Sequence, residues 1–278
     1  MSASATQIVL DLMSAAHPQA ADADSLVRAA ALLGCSETAT RAALSRLKTS
    51  GHLAHHARGV YRLGQRAQPQ RAQLELFQPG GDQLLSCWSG AWIAVHTSPL
   101  SAAPRQLQRQ SVRALYWLGF RAFAQQMHLR PDNLKGGVEG LRALLIARGA
   151  DERLFLGRLS DLGVAESAQL VALWDTQALQ RAYRKRIAEL QAARRQLAKR
   201  SAEAAASAAF PLGRAAIRDV VLDPLLPDPL VDAALRQAFF DEARRFVRFG
   251  RSVWRQVLSD RAVTLLSEDE DDTLDARV

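Results

Sequence analysis

The sequence predicts a chain of mixed α and α+β class, in which helices and a small hairpin come first, an α+β region follows, and the last part is all helical. Two patterns support this order: β-prone runs lie between residues 52 and 159, and helical periodicity continues alone beyond residue 166. With 278 residues, 48% of them hydrophobic and 23% charged, the composition is that of a folded globular protein and excludes collagen-like and wholly disordered classes.

Residues 1–65 predict three helices followed by a β-hairpin. Apolar residues recur at helical spacing in three runs, which are residues 6–16, 23–33 and 37–50. Two short β-prone pieces then flank a turn at Arg58 and Gly59. Three helices and a hairpin in this order are typical of a winged helix-turn-helix, so we expect a DNA-binding domain here.

The rest of the chain divides into a linker, two domains and a tail. Residues 66–83 are rich in Gln, Pro and Gly with little periodicity, which indicates a linker. Residues 84–165 predict elements in the order βαββαβ, which is typical of a ferredoxin-like unit. Residues 166–266 predict a helical domain whose apolar stripes suit dimerisation, interrupted by an extended proline-rich connector at residues 223–230. The acidic residues 267–278 are expected to form a mobile tail.

The charge balance indicates a polyanionic partner. The chain has 36 Lys and Arg residues against 28 Asp and Glu, a net charge of +8. Five of the acids lie together at residues 268–272, so the remainder of the chain is more basic still. A basic excess of this kind is typical of proteins that bind nucleic acid.

The third predicted helix presents a face suited to DNA. An apolar stripe of Ala43, Leu44 and Leu47 is expected to be buried, which leaves polar and basic side chains on the opposite side. Arginine there can pair with guanine in the major groove, and lysine can bind a phosphate. The alternative is an ordinary solvated helix face. The residues expected to contact DNA are Ser36, Thr38, Arg41, Ser45, Arg46 and Lys48 on this helix, and His55, His56 and Arg58 at the hairpin.

The sequence holds no motif for catalysis or for a cofactor. It contains no GxSxG, P-loop, HExxH or GxGxxG pattern. Metal-dependent cleavage of a phosphodiester needs carboxylates, and residues 92–101, the first strand of the α+β unit with its exit loop, have none. His55 and His56 point to opposite faces of a strand, and no Cys, Asp or Glu lies close to them in sequence. We therefore predict no enzymatic activity, no catalytic residues and no metal.

Cysteine usage and the absence of export signals indicate a cytoplasmic protein. The chain has two cysteines, Cys35 and Cys87, which cannot make a disulfide framework or a CxxC knuckle. Its first residues lack the Lys or Arg that begins a secretory signal, and no stretch holds the roughly 20 mostly apolar residues of a membrane helix. No membrane contact is expected.

Five segments together carry a resemblance to a known family. They are LGCSETATRAALSRLKTSGHL (33–53), WSGAW (88–92), RALYWLGF (113–120), WDTQALQRAYRKRI (174–187) and DPLLPDPL (223–230) with the helix that follows it. In this order they resemble the PaaX-type transcriptional repressors of phenylacetate degradation. The resemblance implies a homodimeric repressor that binds a double-stranded DNA operator and is released by a small effector such as an aryl- or acyl-CoA thioester. A nucleic-acid-processing subunit built on the ferredoxin-like unit is the alternative, and the missing strand carboxylates argue against it.

A basic helix supplies candidates for the effector site. Residues 179–200 carry eight Lys or Arg residues against one acid, Glu189. They could form a solvated face, contact the DNA backbone or bind the phosphates of an effector. A CoA thioester also needs an apolar cleft, although tryptophans are more often core than pocket. The residues that could bind the effector are Arg181, Arg184 and Arg186, together with Trp88, Trp92 and Trp117.

Overall fold

The computed structural model describes residues 4–15, 20–57, 59–67 and 85–258, which form two small sheets and a helical C-terminal region. Two compact units result. The first contains Met1–Glu75, Leu190–Ala215 and Ala243–Val278, and the second contains Leu76–Glu189 and Ala216–Glu242. Most of the predicted linker and the whole of the predicted acidic tail lie outside the described residues.

Three helices open the first unit: α1 (Ala5–Ala15), α2 (Ala23–Leu32) and α3 (Glu37–Thr49). They pack against one another through apolar side chains that are at most 3% exposed, including Val9, Met13, Ala30, Leu44 and Leu47. Side-chain caps fix where α2 and α3 begin. The Asp22 carboxylate accepts a hydrogen bond from the Ser25 N–H at 2.8 Å, and Ser36 Oγ accepts one from the Ala39 N–H at 3.2 Å.

A three-stranded antiparallel sheet contacts these helices, with its strands in the order β1-β3-β2. The strands are β1 (Ala20–Asp22), β2 (Leu53–Ala57) and β3 (Val60–Leu63). The predicted hairpin is confirmed as β2 and β3. Gly51, with φ of 74°, lets the chain turn from α3 into β2. A Cβ atom at Gly64 would lie 2.3 Å from the Gly51 carbonyl oxygen, so glycine is required where the end of β3 meets this turn.

The second unit contains a four-stranded antiparallel sheet in the order β5-β6-β4-β7. Its elements in chain order are β4 (Trp92–His96), α4 (Arg105–Trp117), β5 (Arg121–Ala124), β6 (Met127–Pro131), α5 (Gly137–Ala147) and β7 (Phe155–Leu159). This is the predicted βαββαβ order. The central strand β4 pairs with both β6 and β7, and places Ala94 between Leu129 and Gly157. The core that this sheet shares with α4 and α5 includes Ile93, Val95, Leu115, Leu141 and Leu145.

The described part of the C-terminal region, residues 164–258, contains four helices: α6 (Val164–Val171), α7 (Thr176–Leu197), α8 (Ala202–Val221) and α9 (Ala233–Leu258). α8 continues through Pro211, which removes one backbone N–H from the helix. Buried alanines on both sides of that proline, among them Ala206, Ala209 and Ala216, hold the helix in place. Among the described residues, no helix is both long enough and apolar enough to cross a membrane.

The predicted connector at residues 223–230 is non-helical, and buried polar side chains hold it in the second unit. Asn133 Nδ2 donates a hydrogen bond to the Leu225 carbonyl at 2.7 Å, and Arg236 donates to the Leu226 carbonyl. Asn133 is positioned in turn by Arg130, whose Nη2 lies 2.9 Å from Asn133 Oδ1. Arg130 is only 1% exposed, and its burial lowers the pKa of the guanidinium to about 9.

Candidate nucleic-acid interface and effector site

Helix α3 exposes a polar and basic face on the first unit. Thr40, Ala43, Leu44 and Leu47 are buried on one side of the helix. The residues predicted to contact DNA lie on the other side and are exposed: Thr38, Arg41, Ser45, Arg46 and Lys48, with Ser36 at the N-cap. The structure therefore brings the predicted helix residues onto one accessible face.

Two carboxylates bind the guanidinium group of Arg41. Its Nε lies 2.7 Å from Glu37 Oε1 and its Nη2 lies 3.0 Å from Asp24 Oδ1. All three side chains are at least half exposed, and solvent weakens exposed ion pairs of this kind. The ion pairs position the guanidinium at the surface and can be exchanged for a stronger contact at low cost.

Lys48 and Arg46 complete the basic part of the face. Lys48 lies in the last turn of α3 and makes no ion pair within the described part of the chain. Arg46 Nη2 approaches Thr6 Oγ1 at 3.5 Å. Cations in the last helical turn are favourable to the helix dipole, so both side chains stabilise α3 as well as supplying positive charge.

The hairpin contributes two histidines beside this helix. His55 and His56 are both exposed on β2, and the His55 ring stacks on Tyr61 with centroids 5.1 Å apart. Arg58, the third predicted residue of the hairpin, lies outside the described residues. No group of three or more His, Cys, Asp or Glu side chains that could hold a metal ion occurs among the described residues.

Two of the three tryptophans predicted for an effector site form a cluster in the second unit. Trp92 is 1% exposed, stacks on Trp174 at 5.8 Å and meets Trp88 edge-on at 5.4 Å. The Trp88 indole N–H donates to the Ala91 carbonyl at 2.6 Å. Trp92 is therefore part of the packed interior, and Trp174 is a member of the cluster that the sequence did not single out for this role.

Trp117, the third predicted tryptophan, lies at the end of α4. It is half-buried, and the Arg113 guanidinium carbon sits 4.3 Å from the centroid of its ring. This cation–π contact covers one face of the indole.

The three predicted arginines of α7 differ in what surrounds them. Arg186 is bound by two carboxylates, with Nη2 2.6 Å from Asp219 Oδ2 and Nη1 3.0 Å from Glu189 Oε2. Arg181 and Arg184 are exposed and make no ion pair within the residues that the structure describes. Arg186 thus connects α7 to α8, while Arg181 and Arg184 offer their guanidinium groups to solvent.

A second group of arginines, which the sequence patterns did not single out as a site, lines a cleft in the first unit. We call it the α7–α9 cleft; it has a volume of about 440 Å³ and is lined by Arg194, Arg195, Ala198, Arg245, Arg248 and Phe249. The signal that could have found it is the RRFVRFGR run at residues 244–251, which repeats arginine at helical spacing.

Comparison with known proteins connects both ends of the chain to one family. The family model described as PaaX-like protein matches residues 5–67, and the one described as PaaX-like protein C-terminal domain matches residues 174–256. No curated protein sequence matches the chain. The fold is similar to that of the uncharacterized protein Rv0674 from Mycobacterium tuberculosis, with 25% sequence identity and a TM-score of 0.58 over 90% of this chain and 98% of that one.

Proposed function

The chain belongs to the PaaX-like family of transcriptional regulators, and from this premise we propose that it is a repressor that binds operator DNA through α3. The exposed face of α3 is the observation that carries the proposal. Arg41, Ser45 and Lys48 lie on that face, opposite the buried stripe, within the residues that the N-terminal family model matches. The alternative of a nucleic-acid-processing subunit is not favoured by this membership.

We further propose that the N-terminal elements form a winged helix-turn-helix. In that arrangement α2 and α3 are the two helices of the motif, joined through residues 33–36, and the β2–β3 hairpin is the wing. The order of the elements and the contact between α3 and β2 support this. The recognition helix would then enter the major groove, and the exposed His55 and His56 would lie at the sugar-phosphate backbone.

The guanidinium and ammonium groups on the exposed face of α3 suggest different contacts with DNA. Arg41 can pair bidentately with a guanine once it leaves Asp24 and Glu37, so we assign it to base recognition. Lys48, at the opposite end of the helix, suits a phosphate. Ser36 Oγ accepts the capping bond from Ala39 and still has its own hydrogen to donate to a phosphate oxygen.

The α+β unit is proposed to be ferredoxin-like. Numbered from β4 onward, its four strands lie in the spatial order 2-3-1-4, with a helix after the first and third strands. This arrangement supports the assignment made from the sequence.

The effector is proposed to be an aryl- or acyl-CoA thioester. Arg181 and Arg184 are accessible to its phosphates, which supports their assignment to the effector site. Arg186, Trp92 and Trp117 have packed or paired side chains, so their contribution would require local rearrangement. Calorimetric titration with acyl- and aryl-CoA compounds, beside free CoA and the free acids, tests this assignment.

Gel-shift titrations with an operator selected from genomic fragments test the proposed function. Arg41→Ala should weaken operator binding by about 1–3 kcal/mol and relax the preference at one base pair. Lys48→Ala should weaken binding to all sequences alike and reduce the slope of log K against log salt by about one unit for each bound chain.

Arg109→Ala is the matched control, because it removes an exposed arginine from α4 in the second unit. It should leave operator affinity and the salt slope unchanged. If both α3 variants fold and bind the operator as tightly as the wild type, α3 is not the recognition helix and the proposal is wrong.

A further inference from the structure

The α7–α9 cleft gathers four guanidinium groups from two helices in the first unit. Arg194 and Arg195 come from the last turn of α7, and Arg245 and Arg248 come from α9. Phe249 is half-buried and supplies an apolar surface beside them. Arg195 and Arg248 are exposed, and within the described part of the chain neither has a hydrogen-bond or ion-pair partner.

Positive charge predominates around this cleft, although Asp241 and Glu242 lie on α9 directly before its arginines. Residues 190–215 and 243–258, the helical segments of the first unit that the structure describes, hold ten Lys and Arg residues and one acid, Glu203. Four guanidinium groups that line one cleft repel one another, and an anion bound among them would relieve that repulsion.

The lining of the cleft distinguishes it from an ordinary solvated helix face. A solvated face comes from one helix, whereas this open cleft takes arginines from two. Guanidinium groups bind phosphate oxygens bidentately, and two pairs of them suit adjoining phosphates. An aromatic ring beside the charges suits the apolar or aromatic portion of a small ligand, which a contact with the DNA backbone would not need.

We propose that the α7–α9 cleft binds a small ligand that carries two or more linked phosphate groups. The arginines bind the phosphates, and Phe249 contacts the non-phosphate part of the ligand. This inference goes beyond the proposed function, because it uses none of the residues assigned to operator recognition or predicted for the effector.

Calorimetric titration of the full chain, without DNA, tests the proposal. The probes are inorganic pyrophosphate and ADP, with inorganic phosphate for comparison. We expect one saturable site per chain for pyrophosphate and ADP, and weaker binding of phosphate. Tighter binding of ADP than of pyrophosphate would support the contact between Phe249 and the non-phosphate part of the ligand. Equal binding would overturn that contact and support a site for the linked phosphates alone.

Paired substitutions then locate the site. The double variant Arg195→Gln with Arg248→Gln should bind pyrophosphate at least about tenfold more weakly, because each lost charge-assisted hydrogen bond is worth about that factor. The control double variant Arg105→Gln with Arg109→Gln removes the same charge from exposed positions of α4 and should bind as the wild type does. A third double variant, Arg181→Gln with Arg184→Gln, removes the arginines assigned to the effector site and tests whether the pyrophosphate binds there instead of in the cleft.

A separate variant tests whether weaker binding occurs in a chain that is still folded. Ala198→Glu places a carboxylate at an exposed position in the lining of the cleft, where it should repel the probe while the thermal unfolding midpoint stays close to that of the wild type. The proposal is overturned if the wild type shows no saturable binding of either polyphosphate, or if the cleft and control variants bind alike. It is also overturned if loss follows the Arg181 and Arg184 variant, or if the cleft variants weaken only DNA binding. None of these results depends on the operator titrations of the α3 variants, so the two proposals fail independently.

Discussion

At the scale of single residues, a buried acid illustrates how the connector is held. Tyr183 Oη donates a hydrogen bond to Asp223 Oδ2 at 2.5 Å, and Asp223 Oδ1 accepts another from the Leu225 N–H at 2.8 Å. Burial raises the pKa of Asp223 to about 6, although these two bonds and the nearby Arg236 oppose the shift. The same burial, together with the Asp223 charge, raises the pKa of Tyr183. The pair is well bonded, but ionisation of its carboxyl group is unfavourable.

The raised pKa of Asp223 determines whether the free energy of unfolding rises or falls with pH. The folded chain binds a proton more tightly at this carboxyl than the unfolded chain does, because the ordinary pKa of an aspartate carboxyl is 3.8. The contribution of Asp223 to the free energy of unfolding is therefore fully present at low pH and declines as pH rises from about 4 to about 6. Above that window the ionised carboxylate depends on Tyr183 for one of its hydrogen bonds.

Tyr183→Phe should therefore destabilise the chain more at neutral pH than at acidic pH. Losing the hydroxyl removes the donor to a buried carboxylate, which should reduce the free energy of unfolding by about 1–3 kcal/mol near pH 8. The loss should be smaller near pH 4, where the protonated acid is the favoured form. Urea denaturation at both pH values measures the difference, and Tyr116→Phe, at an exposed tyrosine, is the control. An equal loss at both pH values would contradict this account of Asp223.

At the scale of elements, the start of α3 depends on one side chain. Ser36 has extended backbone dihedral angles and caps the helix through Ala39. Ser36→Ala should lower the free energy of unfolding by about 0.5–2 kcal/mol, since a backbone N–H of the first turn loses its partner. Ser45→Ala, on the exposed face of the same helix, is the control and should change stability little.

A third substitution separates capping from DNA contact at the same position. Ser36→Asp preserves the cap, because aspartate is a favourable N-cap residue, but it places a negative charge where we expect a phosphate. Its stability should match that of the wild type in urea denaturation, while operator affinity falls in gel-shift titrations. If Ser36→Asp binds the operator normally, Ser36 lies away from the DNA backbone.

Local signals explain which elements were predictable. The N-cap at Ser36 and the glycines at both ends of α3 act within a few residues, and the hairpin follows from two short β-prone runs. Strand β1 was missed because three residues, AAD, show no alternation and form a strand only by pairing with β3. Pairing of that kind depends on residues far apart in sequence.

The candidate sites were predictable only in part for the same reason. The exposed face of α3 follows from helical spacing alone, so its residues could be named from the sequence. The carboxylates that bind Arg186 and Arg41 include Asp219 and Asp24, which come from other helices and gave no local signal. The α7–α9 cleft needs two segments, 194–198 and 245–249, that lie nearly fifty residues apart in sequence. The assignment of the two halves of each helix to different units was not predicted either. The predicted domain boundaries at residues 84–165 and 166–266 stay predictions.

At the scale of the whole molecule, the proposed DNA surface and the proposed anion cleft belong to one compact unit. Helix α9 continues from Phe249 to Trp254, which packs edge-on against Phe210 of α8 at 6.2 Å. Both rings contact the apolar cluster formed by α1, α2 and α3, and Ser207 Oγ donates to the Leu32 carbonyl at the end of α2. The segments that line the cleft are thus packed onto the helices that present the proposed DNA-binding face.

We expect the proposed repressor to act as a homodimer. One winged helix-turn-helix offers a small interface with DNA, and regulators of this kind gain affinity by reading two related half-sites. Light scattering of the free chain should give about twice its mass of 30.4 kDa. The operator should contain two half-sites about 34–36 Å apart or at a multiple of that spacing.

The salt dependence of operator binding gives a second, independent measure of the dimer. Each chain contributes one Lys48, and each phosphate contact accounts for a slope of about 0.9 in log K against log salt. Lys48→Ala should therefore reduce the slope by about two units on a full operator and by about one unit on a duplex that carries a single half-site. A reduction of one unit on both duplexes, together with a monomeric mass in the presence of DNA, would show that one chain binds the operator alone.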